Sequence, residues 1–414
     1  MHSRLPLQLA MPLLCIGLAA CNDPTTAPGP PKELGALPRP LTAAEAKVAT
    51  SGNAFTFSLF KQVSSAQPDS NVFLSPLSAS MALGMTMNGA AGSTYDAMRS
   101  TLGFDQAELE EINAGYKGLI GLLRGLDKTT DFRIANSIWY RDGVPFDASF
   151  LQTTANFFDA RVEGLDFAAS ASLTTINDWV SQATSGKIPS IIDEISDDHI
   201  MFLINAMYFK GAWRSAFDSK RTRDGLFHLA DGSTQTVRMM NQNETLRFAG
   251  NASVEAVDLL YGNAAFSMTV LVPRHGIDVN DLVDSLSADK WTAWMNEFHE
   301  TKRIVGLPKF KLEYERTMND DLKALGMAVA FDDRADFSRM SPMGRKMRIS
   351  FVKQKTFVDV NEEGTEAAAA TAVGIELTSA RPGVYADRPF VFAIRERLTG
   401  TILFIGKIMR IPPS

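Results

Sequence analysis

The sequence predicts an α+β domain, on three observations. Amphipathic helical patterns gather in the first half and strand-like runs in the second, and no regular strand–helix alternation supports a doubly wound sheet. A length of 414 residues suggests two to three domains. Yet no linker rich in Pro, Ser or Gly and no internal repeat follows Leu41, so residues 42–414 are expected to form one domain.

The elements follow from periodicity. Residues 43–65 begin with good helix formers and carry Phe57, Phe60 and Val63 at core spacing. Ser75-Pro76 opens a second helix, with serine as N-cap and proline in the first helical position, running through Met81, Met85 and Met87 to near Gly89. Residues 105–124 and 170–184 read as two more amphipathic helices. Residues 132–140 read as a strand, and 200–209, almost wholly apolar, as a central strand covered on both faces. Residues 254–261 and 264–272 resemble a hairpin around Gly262-Asn263, and the runs 349–360 and 390–408 complete the set.

Composition excludes several classes. Hydrophobic residues at 45% and charged residues at 21% are ordinary for a soluble globular chain, and a net charge of −6 argues against nucleic acid as a partner. No interior run of eighteen apolar residues is long enough to span a membrane as a helix. The two cysteines, Cys15 and Cys21, both lie in the first 21 residues, so the body has no disulfide, thiolate metal site or cysteine nucleophile. Five histidines form no H-E-x-x-H motif, and there is no G-x-S-x-G elbow, phosphate-binding loop or dinucleotide fingerprint. Asp332, Asp333 and Asp336 are interrupted by Arg334 and lack the spaced glutamate of a calcium loop. Neither an enzyme nor a cofactor is expected.

The amino end reads as a processing signal. Residues 1–20 carry Arg4 and an apolar run from Leu9 to Ala20, as in a signal peptide. Leu18-Ala19-Ala20-Cys21 resembles the bacterial lipobox, which would make Cys21 the lipid anchor and first mature residue. Residues 21–41, with Pro24, Pro28, Pro30, Pro31, Pro38 and Pro40, are expected to be an extended tether. The expected location is the bacterial cell envelope (periplasm or cell surface) or the exterior, with the membrane as a partner through Cys21.

One segment near the carboxyl end is unusual. Residues 362–373 are small and nearly featureless, and 374–387 show neither helical nor strand periodicity. Structureless loops longer than about 12–15 residues are uncommon in compact domains and tend to be functional. With a period of two, Thr365, Ala367, Ala369 and Thr371 point one way, all small and uncharged, and Glu366, Ala368, Ala370 and Ala372 the other, toward solvent.

Asn71–Ser78 (NVFLSPLS), Leu203–Trp213 (LINAMYFKGAW), Leu307–Phe310, Ala335–Ser338, 359–372 and Arg388-Pro389-Phe390 resemble the signatures of the serpin family, in the family's order. The resemblance implies three β-sheets, eight or nine helices and an exposed reactive-centre loop over about residues 362–388. It also implies a monomeric inhibitor whose loop is cleaved by a serine protease, sometimes a cysteine protease, and then inserts into the main sheet. The family's hinge falls on Glu362, Gly364, Thr365, Glu366, Ala367, Ala368, Ala369, Ala370 and Thr371. Its polar cluster beneath the opening falls on Ser75, Ser78 and Asn205, with Gln354 where many animal members have histidine. Trp213 matches the tryptophan under the hinge, and Lys309 with Glu362 a pair linking sheet top to hinge. The family's loop spacing, counted forward from Glu362 and back from Pro389, implies a reactive bond at Thr378–Ser379, with Leu377 as runner-up. A small β-branched Thr378 suits an elastase-like protease and Leu377 a chymotrypsin-like or elastase-like one, while Arg381 precedes Pro382 and is a poor site. The alternative is a non-inhibitory binding protein of this fold whose loop is cleaved as a plain substrate.

Replacing Cys21 with Ser is expected to move the protein from the membrane fraction to the soluble fraction on centrifugation. Retention in membranes would refute the anchor.

Overall fold

The computed structural model describes residues 30–365 and 383–412. Two sheets organise them. A six-stranded sheet has the order β10 (Phe310–Thr317), β11 (Lys353–Val360), β12 (Gly364–Thr365), β4 (Met201–Ala212), β2 (Asp131–Arg141) and β3 (Ala160–Leu165). A nine-stranded sheet runs β1 (Val72–Leu74), β15 (Ile402–Ile408), β14 (Phe390–Glu396), β8 (Phe266–Pro273), β7 (Val254–Leu260), β6 (Thr234–Gly250), β9 (His299–Pro308) and β13 (Gly383–Tyr385), with β5 (Arg223–His228) beside β6. The 17-residue β6 is the seam of this sheet: its end pairs with β7, while its earlier part pairs with β5 and its length with β9. The helices among the described residues are α1 (Ala43–Ala66), α2 (Pro76–Gly89), α3 (Gly92–Thr101), α4 (Leu109–Arg124), α5 (Ala148–Phe158), α6 (Ser170–Ala183), α7 (Val279–Ser285), α8 (Ala288–Glu297) and the one-turn α9 (Asn319–Leu322). The class is α+β.

Local chemistry explains the elements that carry the site. Thr42 and Glu45 form a capping box at the start of α1, and Arg39 forks onto the same Glu45 carboxylate at 2.6 and 2.7 Å. Helix α2 is buried around its whole circumference, which its apolar composition allows and a central position requires. Ser75 occupies the N-cap position of α2, but its hydroxyl donates to the Leu403 carbonyl at 2.9 Å instead of capping. Strand β4 is covered on both faces. Met207 and Phe209 join the main core, whereas Phe202, Ile204 and Ala206 pack with Trp139 and with Ile176 and Val180 of α6.

Four expectations change. The helix expected from residue 105 starts at Leu109. The strand expected from residue 349 starts at Lys353, because the Ile349 N–H donates to Ala330 and the Val352 carbonyl accepts from Met318, which removes both from any ladder. The run 390–408 is a hairpin of two strands; Glu396 accepts from the N–H groups of Leu398 and Thr399, and Gly400 turns the chain at φ +74°. The tether expected to reach Leu41 is docked from Pro30 onward. The Leu34 N–H donates to the Asn263 carbonyl at 2.7 Å, Arg214 donates to the Pro31 carbonyl, Arg397 pairs with Glu33 at 3.3 Å, and Leu34, Leu37 and Leu41 pack on the core. Leucines spaced among the prolines give this segment apolar surface to bury. Cys21, expected to be the anchor, and the expected signal segment lie outside the described residues.

The buried ion pair of the nine-stranded sheet offers a test. Asp258 on β7 is wholly buried and accepts from Arg395 of β14 at 2.8 Å and from the Thr269 hydroxyl at 2.7 Å. Burial alone would raise this carboxyl, but Arg395 foremost, with Thr269 and Arg247, holds it below its ordinary value. Its contribution to stability is therefore present above the ordinary carboxylate range and lost as pH falls through the lower folded value. Asp258→Ala is expected to cost about 3–5 kcal/mol at pH 7 in urea unfolding, because it leaves Arg395 buried and unpaired.

Candidate functional site

The site begins where β11 turns into β12. Thr365 pairs antiparallel with Val360 of β11 on one side and with Gly211 of β4 on the other, and Gly364 faces Ala212. Two residues thus lie between the central strands. Gly364 is required by close approach: a Cβ there would lie 2.1 Å from the Gly211 carbonyl oxygen. Thr365 is buried, and its hydroxyl lies 2.6 Å from the hydroxyl of Tyr261, a phenol whose pKa burial pushes far up.

Trp213 holds the turn from below. Its ring stacks on Tyr261 at 4.5 Å and 14°, its indole N–H donates to the Asn361 carbonyl at 2.9 Å, and its backbone N–H donates to Glu363. The Phe217 N–H donates to the Glu362 carbonyl. The Glu362 carboxylate accepts from Lys309 at 2.7 Å and from the Thr222 hydroxyl at 2.8 Å. Burial works to raise the Glu362 carboxyl, but Lys309 and Thr222 together bring it below its ordinary value.

Below Thr365 no ladder joins β4 to β11 among the described residues. The polar cluster lies under this seam. Gln354 closes a two-way pair with Ser75: the Ser75 N–H donates to Oε1 at 2.9 Å, and Nε2 donates to the Ser75 carbonyl at 2.8 Å. The Ser78 hydroxyl reaches the Asn205 carbonyl at 3.4 Å, a long contact. Asn205 Nδ2 donates to Asn136 Oδ1, and Asn136 Nδ2 in turn donates to the Phe158 carbonyl. Rotating the Asn205 amide would set oxygen against oxygen, so its Oδ1 stays buried with no partner among the described residues. Further down, the seam widens into a cavity between residues 199–205 and 347–354, floored by α2 residues such as Leu83 and by Met318, Phe337 and Met340.

Sequence reasoning named Ser75, Ser78, Asn205, Trp213, Lys309, Gln354, Glu362, Gly364 and Thr365, and all of these lie along the seam or its top. It missed Asn136, Thr222, Tyr261 and Asn361. Glu366, Ala367, Ala368, Ala369, Ala370, Thr371, Leu377, Thr378 and Ser379 fall outside the described residues. The outward face expected to be solvent is open only at the top of β4, where Lys210 and Ala212 are exposed; lower down, Ala206, Ile204 and Phe202 on that face are buried beneath α6.

A six-stranded sheet in which Gly364 and Thr365 enter between β11 and β4, over a buried polar cluster, is the geometry the sequence resemblance implied. The chain belongs to the serpin family: residues 50–411 match the family model described as Serpin (serine protease inhibitor). It is 36% identical to human Serpin B8 over 364 residues, covering 85% of this chain and 96% of that one. Among solved structures, it is similar to the thermophilic serpin Tengpin in its native state (TM-score 0.79, 31% identity, 92% and 97% covered). It is also similar to thyroxine-binding globulin in complex with thyroxine (TM-score 0.81, 28% identity, 89% and 100% covered).

Gly364→Val is expected to expel the hinge from the sheet, since its side chain meets the β4 backbone. Hydrogen exchange should then be faster at Thr365 than in the unaltered protein, while the β7–β8 hairpin keeps its protection. Unchanged exchange at Thr365 would contradict the close-approach argument.

Proposed function

We propose that the chain is a serine endopeptidase inhibitor that traps its target by loop cleavage and insertion, and not an enzyme. The observation that carries this reading is the hinge strand held between β11 and β4, above a seam where no ladder joins the two among the described residues. The protease serine attacks the Thr378 carbonyl carbon. The bond to Ser379 breaks, its nitrogen leaves as a new amino terminus with a proton from the protease's acid, and Thr378 stays esterified to the enzyme. The freed segment then continues the strand begun at Gly364–Thr365. Fourteen residues from Thr365 to Thr378 span about 45–50 Å when extended, the length of a long sheet. Each small residue from Ala367 to Ala372 can enter between formed strands without repacking them, which favours insertion over hydrolysis of the ester.

Thr378 points to an elastase-like target, with a chymotrypsin-like enzyme cleaving after Leu377 as the runner-up. Export and anchoring through Cys21 would place the inhibitor on a cell envelope. The second reading, a binding protein cleaved as a plain substrate, draws on the likeness to thyroxine-binding globulin.

Mixing with elastase, chymotrypsin and trypsin decides between them. We expect an SDS-stable band of summed mass with elastase or chymotrypsin, and a released carboxyl-terminal fragment beginning at Ser379. Only cleaved inhibitor and free protease would support the second reading. A fragment beginning at Pro382, made by the protease inhibited fastest, would overturn the bond assignment.

A further inference from the structure

The two walls of the cavity touch through aromatic rings. The imidazole of His199, two residues before β4, lies 5.1 Å from the Phe202 ring of β4. It lies 5.5 Å from the ring of Phe351, two residues before β11, edge-on at 82°. Phe202 and Phe351 themselves meet at 5.8 Å, and Phe167 extends the contact at 5.4 Å from Phe202. Three rings thus bridge the start of β4 and the start of β11 in pairwise contact.

The loop before β4 holds the imidazole in one protonation state. The Ser196 N–H donates to Nδ1 at 3.1 Å, so Nδ1 carries a lone pair and the neutral ring keeps its proton on Nε2. Arg141 of β2 fixes the loop that presents this N–H. Its guanidinium donates to the carbonyls of Ser196 at 2.8 Å, Asp197 at 3.2 Å and His199 at 2.9 Å, and lies over the Phe167 ring. A proton added at Nδ1 would point at the Ser196 N–H. The Ser196 hydroxyl, 3.2 Å away, can accept that proton, but the backbone N–H then loses its acceptor and the loop must move.

The surroundings divide over a charged ring. Burial foremost holds the His199 imidazole below its ordinary value of 6.5, and Arg141 acts in the same sense, while Glu194 and Asp198 of its own loop pull the other way. The facing wall, 347–354, holds two cations and no acid. These are Arg348, paired with Asp333, and Lys353, paired with Asp193 and Glu315. That wall offers an imidazolium repulsion and no partner.

We propose that the contact of His199 with Phe202 and Phe351 is a clasp across the seam that acid releases. The neutral ring ties β4 to the segment entering β11. Once protonated it leaves the phenyl rings for water, and the two walls are free to part. The clasp is at full strength above about pH 6.5 and weakens as pH falls through the lower folded value. Its use, to set how readily the sheet opens, rests on the insertion reading; its existence does not.

Hydrogen exchange on the intact, uncleaved chain tests the clasp with no protease present, so the outcome is separate from that of any inhibition assay. Protection at residues 200–203, corrected for the intrinsic effect of pH, is compared at about pH 7.5 and about pH 5, with the β7–β8 hairpin as reference. It is expected to fall by up to about tenfold for each unit by which the His199 value, read by imidazole NMR, lies below the ordinary one. His199→Phe keeps a ring but cannot titrate, and should hold its protection over the same range. Constant protection in the unaltered chain would overturn the clasp, and an equal fall in His199→Phe would overturn the assignment to His199. Nitrogen shifts showing the neutral ring protonated at Nδ1 would overturn it without any variant.

Discussion

The central sheet is governed by one unmet demand. The facing edges of β4 and β11 carry rows of peptide donors and acceptors, and among the described residues only Gly364 and Thr365 give them ladder partners. An open edge in the middle of a sheet is a template for another strand. Each ladder bond contributes about 0.5–1.5 kcal/mol net once water is displaced, so a full inserted strand with two ladders represents a large reserve of stability. The rest of the site regulates access to that reserve. Trp213 and Tyr261 seat the first two residues, Lys309 and Thr222 fix the turn at Glu362, and Gln354 with Ser75 ties α2 to the far edge.

Packing around the seam reconciles stability with the need to open. Helix α2 is buried on all sides and tied through Ser75 to both Gln354 and Leu403. Beneath α6, by contrast, the smaller cluster built on Trp139, Phe167, Phe202 and Ile204 is separate from the main core. A separate cluster can shift without disturbing the larger one, and α6 packs on β2 and β4 at its edge. A firmly tied floor and a separate outer cluster are what the proposed insertion of a strand would require.

Much of this was legible in the sequence, for identifiable reasons. Helices α1, α2 and α6 announced themselves by periodicity, α2 also by Ser75-Pro76 at its start, and β4 by an almost wholly apolar run. The signal in Phe310, Leu312 and Tyr314, alternating with charged residues, was also present and marks β10. Tyr261, Thr222 and Asn361 were not legible, because their partners lie 104 to 148 residues away and no local pattern encodes such a contact. Asn136 was hidden in the same way, its link to Asn205 set by the register of β2 against β4. The 390–408 hairpin was obscured because both strands are mostly apolar and buried throughout, and Gly400 is the one residue that turns the chain at positive φ.

The docked stretch from Pro30 sets a leash length. Pro31 and Leu34 are gripped by Arg214 and Asn263, near neighbours in the chain of Trp213 and Tyr261, so the stretch leaves the body at its hinge end. Nine residues, 22–30, separate Cys21 from this grip, and they reach at most about 30–32 Å. With Cys21 acylated as proposed, the molecule would hang from the lipid surface hinge-end first. Its bait would then be offered to proteases working close to that surface, and a captured protease would be carried outward, away from the membrane.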